Sequence, residues 1–334
     1  MERYFLGGNT SEGFRGYFDS ETERIGRVVL LKGGPGTGKS SLMKAVGREC
    51  ARRGLDHELW LCSGDPESVD GIYIKDADFA VTDATAPHAA DARLPVIRES
   101  VIDMAAALDR EKLLGARTKI EKLLSAKKEA YIRAYEHLGR AYGYYLRMKE
   151  EYAKRVPVTE IRRRAAAFAL RGQADGNADA EERNLFASAI TANGTVSFYD
   201  YLAGKRLYKV GACEIGADIF LAELATLMRG KTLIHAPLNA AVTDGVAGGD
   251  WAVVRDAGAF ASAADTIDLS DLEGGASYNC EFYRSRKDEE IRTASADLSA
   301  ARQAHLECEK YFTAAMDFSV TDEITGRVFD MIFG

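Results

Sequence analysis

The chain has 334 residues, of which 46% are hydrophobic and 28% are charged, and its formal net charge at pH 7 is −7. This composition is that of a folded protein of about two domains and excludes a wholly disordered chain. Its five cysteines include no Cys-x-x-Cys pair, which argues against a zinc site or a disulfide framework. We find no signal-peptide pattern and no apolar run of the roughly 20 residues needed to span a bilayer, and therefore expect a cytoplasmic protein.

The first third of the chain alternates apolar runs with polar loops and predicts an α/β unit. Strands are predicted at residues 28–31, 58–62, 79–82 and 101–104, and a helix at 40–53 that Gly54 ends. Strands and a helix joined by short connections predict a parallel sheet, with the functional loops at the carboxyl ends of its strands.

The loop after the first strand carries the strongest motif. Residues 33–40 read Gly-Gly-Pro-Gly-Thr-Gly-Lys-Ser, the Walker A pattern in its strand–loop–helix context. Glycines allow backbone N–H groups to surround a phosphate, and the helix N-terminus adds its positive dipole end. Lys39 would contact the β- and γ-phosphates, and Ser40 would complete a Mg²⁺ site. The alternative is a glycine-rich turn that only starts a helix. The predicted nucleotide-binding residues are Gly33, Gly34, Pro35, Gly36, Thr37, Gly38, Lys39, Ser40 and Ser41.

Three further residues are candidates for the chemistry of this site. Asp83 ends the predicted strand at 79–82, where a Walker B aspartate holds Mg²⁺, although it could also cap a turn. No glutamate follows Asp83, so the usual activator of water is missing there. Asp65 and His88, and less favourably Glu67, are the possible general bases. Asp65 precedes Pro66 and also suits a plain turn. The predicted catalytic residues are Lys39, Asp65 and His88, and the predicted metal ligands are Ser40 and Asp83.

The second half of the chain resembles a degenerate duplicate of the first. Five matches occur in the same order, pairing 10–19 with 191–200, 29–38 with 207–216, 70–71 with 244–245, 78–81 with 250–253 and 102–104 with 267–269. In this alignment Ala217 replaces Lys39 and Asp218 replaces Ser40, while Glu214 adds another carboxylate. We therefore expect the second half to be a scaffold or sensor half that does not bind a nucleoside triphosphate well. The alternative is chance similarity between two α/β segments.

Two long helical segments are predicted, at about 108–165 and 281–317. Each has a seven-residue repeat typical of a coiled-coil seam. The repeats are Leu124, Tyr131, Leu138 and Tyr145 in the first segment and Ile291, Leu298, His305 and Phe312 in the second. We expect His305 to be a packing residue rather than a ligand. Residues 110–164 contain 16 Lys or Arg against 7 Glu, which permits nucleic-acid binding but favours solvent-exposed helix faces.

The wider pattern adds a resemblance. Residues 5–14, the loop 31–41, residues 62–71 and the segment 83–88 resemble a little-characterised family of bacterial ATP-binding proteins with two tandem P-loop halves. The resemblance covers the first half and, more weakly, residues 183–334. It implies the P-loop NTPase fold, but the family's second half usually keeps its own phosphate loop, and this chain departs there. The Pro-Gly-Thr-Gly-Lys-Ser form of the loop and the lack of an Asn-Lys-x-Asp motif favour ATP, with Mg²⁺, over GTP.

The combined prediction is an internally duplicated α/β protein with a three-layer α/β/α P-loop NTPase fold and a parallel sheet. Each half bears a long helical appendage, and the domains are residues 1–178 and 179–334. The leading function is an ATPase whose turnover moves the helical arms. One alternative is a small-molecule or nucleotide kinase, with Asp65 as base and residues 162–164 as a lid. The other is a non-hydrolysing, ATP-dependent binding protein. The sequence identifies neither a phosphoryl acceptor nor a protein partner.

Overall fold

The computed structural model of the chain describes residues 1–171, 181–274 and 280–334, and the predicted boundary at 178 lies outside them. The described chain is an α/β protein with two six-stranded sheets. No helix in the described ranges is long and apolar enough to cross a membrane.

The two halves consist of corresponding elements. The first half contains β1 (Glu2–Tyr4), β2 (Gly7–Thr10), β3 (Gly13–Gly16), α1 (Phe18–Glu23), β4 (Arg27–Lys32), α2 (Lys39–Arg53), β5 (His57–Leu61), β6 (Val69–Ile74), β7 (Phe79–Asp83), β8 (Glu99–Asp103), α3 (Arg110–Ala153) and α4 (Val158–Leu170). The second contains β9 (Arg183–Leu185), β10 (Ser188–Thr191), β11 (Gly194–Ser197), β12 (Arg206–Gly211), α5 (Glu214–Leu227), β13 (Thr232–His235), β14 (Thr243–Ala247), β15 (Trp251–Val254), β16 (Asp265–Asp268), α6 (Cys280–Ala314) and α7 (Phe318–Phe333).

Both sheets have the same strand order. It is β1-β5-β6-β7-β4-β8 in the first half and β9-β13-β14-β15-β12-β16 in the second. Within each, β6 or β14 runs antiparallel to both neighbours, and the other neighbouring strands are parallel. The halves also meet through corresponding residues, because Phe5 and Phe186 exchange two backbone hydrogen bonds of 2.9 Å. The structure therefore repeats its order of elements and of strands between the two halves, as the predicted duplication requires.

The sheet that the sequence predicts as parallel is mixed: most of its neighbouring strands are parallel, but β6, which was not predicted, runs antiparallel to both neighbours. Asp70-Gly71 is a turn-like pair in sequence, yet it lies inside this buried strand. Gly71 is required there by close approach, since a Cβ would come within 2.1 Å of the Trp60 ring. Short connections join β5 to β6 and β6 to β7. Two consecutive strands joined in this way form an antiparallel hairpin.

The structure does not have the predicted three-layer α/β/α arrangement, because the long helices α2 and α7 pack on one face of the first sheet and only the six-residue α1 contributes, through Phe18, to the other. In β4, Val29 and Leu31 pack in a core with α2 and α7. The alternating residues Val28 and Leu30 lie in a core that also contains Leu207 of β12. The remaining face of each sheet therefore contributes to a core shared by the two halves. The physical reason is that α2 joins β4 to β5 on one face, whereas the hairpins supply no helix for the other and α1 has only six residues.

The helices that follow each sheet pack on the opposite half. Ile324, Val328 and Ile332 of α7 lie in the first-half core with Met43 and Val46 of α2. Reciprocally, α4 packs along α5 of the second half. Each half thus completes the hydrophobic core of the other.

The two predicted helical appendages form one antiparallel pair. Arg133 of α3 pairs with Asp297 of α6 at 2.9 Å, and His137 lies 2.6 Å from Glu290. Residue numbers fall along α6 as they rise along α3, so the helices run in opposite directions. Leu138 and Leu298, both members of the predicted repeats, share a small core on this pair.

We expect Val328→Ala to lower the free energy of unfolding by about 2 kcal/mol. The valine is fully buried, and the substitution removes two buried carbon atoms from the first-half core and leaves a small cavity. Urea denaturation measures the change. Val101→Ala is the control, because Val101 is 53% exposed; an equal loss in both variants would contradict the packing of α7 on this half.

Candidate functional site

The glycine loop at 33–38 connects β4 to the N-terminus of α2, as the sequence predicts. Gly36 and Gly38 have φ angles of 70° and 86°, in the left-handed region that favours glycine. Thr37 Oγ1 donates a hydrogen bond to the Gly34 carbonyl at 2.9 Å and fixes the turn. The first turn of α2 contains no acidic residue. The N–H groups of this turn have no partners within the helix, so the loop presents donors and a positive dipole end, and the first turn itself supplies no carboxylate to offset them.

Lys39 and Asp83 meet beside this loop. Lys39 Nζ donates to the carbonyls of Gly33 and Gly34 at 2.9 Å each and lies 3.6 Å from the Asp83 carboxylate. Asp83 comes from β7, which pairs with β4 in the register Leu31 to Asp83. Burial raises the pKa of Asp83, against the opposing effect of Lys39. The structure thus brings the predicted lysine and the predicted metal ligand together.

The donor set suits a partly hydrated magnesium ion. Ser40 Oγ accepts a hydrogen bond from the Val69 N–H at 3.0 Å, which leaves a second lone pair for a metal. Asp83 supplies the carboxylate. Among the described residues there is no group of three or more His, Cys, Asp or Glu side chains that could hold a metal alone. Mg²⁺ usually keeps several waters and takes its other ligands from substrate phosphates, so Ser40 and Asp83 would be the protein ligands of such an ion.

The two candidate bases are held in separate ion pairs. Asp65 accepts from Arg302 of α6 at 3.0 Å and from the Ser68 hydroxyl at 3.0 Å. His88 Nε2 lies 3.3 Å from the Asp70 carboxylate. Burial alone would lower the pKa of His88, but Asp70 raises it above its ordinary value. In this arrangement neither group is an unengaged base.

The C-terminal helices lie directly on the glycine loop, which the sequence did not predict. A Cβ on Gly34 would come 2.9 Å from the Phe312 ring, and one on Gly36 would come 2.9 Å from Thr313 Oγ1. In α7, Thr321 lies 3.3 Å from the corresponding position on Gly38. The available signal was the heptad position of Phe312, which indicated packing but not its partner.

The second half has a shorter loop at the corresponding place. Only residues 212–213 separate β12 from α5, whereas six residues separate β4 from α2. The helix therefore begins with Glu214 where α2 begins with Lys39. The alignment of Ala217 with Lys39 and of Asp218 with Ser40 is wrong, because both lie within α5. The ungapped match of Gly211 and Gly216 to the loop glycines concealed this deletion.

The corresponding ion pair in the second half has reversed charges. Arg255 directly follows β15, at the position that corresponds to Asp83 at the end of β7. The Arg255 guanidinium lies 3.6 Å from the Glu214 carboxylate. The Glu273 carboxylate accepts from the Cys213 N–H at 3.0 Å, at the start of α5. Lys287 pairs with Glu214 at 2.6 Å. Carboxylates thus occupy the helix N-terminus that would otherwise face an anion.

Comparison with protein-family models, curated proteins and solved structures gave no match to this chain.

Proposed function

We propose that the chain is a P-loop protein that binds Mg-ATP at residues 33–41 of its first half and hydrolyses it. The observation that carries the proposal is the position of Lys39. Its ammonium lies between the carbonyls of a glycine loop and Asp83, at a helix N-terminus without acidic residues. This combination of backbone donors, lysine and adjacent carboxylate suits a phosphate chain with its metal ion.

Each residue has a distinct part in this proposal. The loop N–H groups and Lys39 bind the phosphates and stabilise negative charge that develops on them. Ser40 and Asp83 would hold Mg²⁺, which supplies further charge neutralisation when bound. Asp65 or His88 would orient the attacking water after release from its present partner, Arg302 or Asp70.

A non-hydrolysing ATP-binding protein is the second candidate. It is favoured by the ion pairs of Asp65 and His88, together with the absence of a glutamate after Asp83. The kinase alternative has less support. Its proposed lid at 162–164 pairs instead with carboxylates of α4 and of the second half, namely Glu160, Glu223 and Asp271.

Calorimetric titration with Mg-ATP and Mg-GTP, with phosphate release followed on the same samples, tests the proposal. We expect one ATP per chain, weaker binding of GTP, and phosphate release that requires Mg²⁺. The single site follows from the reversed Glu214–Arg255 pair in the second half. Binding without release would support the second candidate. Two bound nucleotides per chain would contradict the assignment of the second half, and absence of binding would refute the function.

A further inference from the structure

A carboxylate of the second half lies against the glycine loop of the first. Glu309 of α6 is half-buried, and its backbone oxygen and Cβ lie 3.1 and 3.5 Å from the position that a Cβ on Gly36 would take. His305 Nε2 lies 3.4 Å from the Glu309 carboxylate, and His305, with a smaller effect of the Gly36 N–H, lowers the pKa of Glu309. A residue with a carboxylate side chain therefore packs against the loop that is proposed to bind phosphate.

A half-buried lysine lies on the far side of His305 from this carboxylate. Lys127 Nζ of α3 lies 3.0 Å from His305 Nδ1. An ammonium group can only donate, so Nδ1 accepts and the hydrogen of the neutral imidazole lies on Nε2, which faces Glu309. Within the described residues Lys127 forms no ion pair with a carboxylate. Burial lowers the pKa of Lys127, and a multiply charged anion nearby would offset that cost.

We propose that the Glu309 carboxylate occupies the place that the terminal γ-phosphate of bound ATP would take. The γ-phosphate must displace Glu309 and then contacts His305 and Lys127. This inference rests on the proposed function and extends it to residues of both helical arms. A terminal phosphate brings three acceptor oxygens and more negative charge than a carboxylate, so it gains more from these donors. Displacement of Glu309 would also alter how α6 meets the loop, which links nucleotide binding to the arms.

The test is calorimetric titration of Glu309→Gln with Mg-ATP and Mg-ADP. Glutamine keeps the shape of the side chain and removes its competing charge. We expect ATP to bind about tenfold more tightly than to the unsubstituted chain, as for relief of one like-charge contact, and ADP affinity to change by less than about twofold. Glu307→Gln is the matched control, because Glu307 lies on the same helix and pairs with Lys310 at 2.5 Å; it should change neither affinity.

A second variant removes the opposite charge. Lys127→Met keeps the apolar stem, and we expect it to weaken ATP binding about tenfold while leaving ADP binding within about twofold. Unchanged ATP affinity in both variants, with binding still dependent on Lys39, would overturn the inference and leave the proposed function standing. Failure of the unsubstituted chain and of both variants to bind any nucleotide would overturn both.

Discussion

Replacement of Lys39 by alanine is expected to lower Mg-ATP affinity or the rate of phosphate release about 100-fold, as for loss of one charge-stabilising donor. The side chain is only 10% exposed and lies 3.6 Å from Asp83. Its loss would remove the cation that faces the phosphates and would leave the buried Asp83 carboxylate without its nearest positive charge. Titration calorimetry and a phosphate-release assay on the same preparation measure both quantities.

Lys44→Ala is the matched control for this variant. Lys44 lies on the same helix, α2, and five residues further along it faces a different direction from Lys39. Alanine is a good helix former at both positions, so helix propensity does not distinguish the two substitutions. Normal turnover by Lys39→Ala, or an equal loss in Lys44→Ala, would contradict the assignment of the phosphate site.

The local sequence pattern was sufficient to predict the strand and the helix on either side of the glycine loop. The predicted strand at 28–31 corresponds to β4 at Arg27–Lys32, and the predicted helix at 40–53 corresponds to α2 at Lys39–Arg53. Both are set by apolar periodicity and by glycines at their ends. The layer arrangement could not be predicted in this way, because alternation along β4 shows that both faces are buried but not what covers each of them.

The residues of the candidate site likewise fall into two groups, those that the sequence predicts and those that it does not. Lys39 and Asp83 were found because a motif and a strand end place them from nearby sequence alone. Glu309 and Lys127 were not, because their proximity to the loop depends on packing between helices that are far apart in sequence. His305 illustrates the difference: its heptad position predicts a packing residue, yet its two ring nitrogens connect Lys127 to Glu309.

The two halves have opposite charges at equivalent positions, and this explains why duplication need not give two nucleotide sites. Lys39 and Asp83 leave a cation beside a glycine loop of six residues. Glu214 and Arg255 place the carboxylate at the helix N-terminus instead, with the loop shortened to two residues. The second half thereby stabilises its own helix end internally and contributes α6 and α7 to the site of the first.

Replacement of Arg183 by methionine is expected to lower the free energy of unfolding by about 3–5 kcal/mol, as for removal of one partner from a buried ion pair. Arg183 reaches from the second half to the Glu58 carboxylate at 2.8 Å, to Glu21 and to the Tyr4 hydroxyl. Glu58 is fully buried and the Glu21 side chain is 3% exposed. Lys75, 3.4 Å from Glu58, would be the nearest remaining cation to that carboxylate. Urea denaturation at pH 7.5 measures the loss.

The pKa of Glu58 determines how the loss of unfolding free energy in Arg183→Met changes with pH. Burial alone would raise the pKa of Glu58, but the Arg183 charge lowers it below its ordinary value. In the unsubstituted chain this carboxylate therefore stabilises the fold above its unfolded pKa, and the contribution is lost as pH falls through the folded pKa. Without Arg183, burial would raise the folded pKa, and the resulting destabilisation would be relieved as pH falls. We expect the difference in unfolding free energy between the two proteins to be smaller at pH 5 than at pH 7.5.

Arg3→Met is the control, because it removes an ion pair that also joins the two halves but is exposed to solvent. Arg3 also joins the halves, through Asp200 at 2.6 Å, but the two side chains are 41% and 29% exposed. Solvent screens such a pair, so its loss should cost less than about 1 kcal/mol. Because the two arginines connect the same halves, unequal losses would arise from burial of the carboxylates rather than from the number of bridges. Equal losses, or a difference between Arg183→Met and the unsubstituted chain that does not narrow at pH 5, would contradict a buried charge network as the stabilising contact.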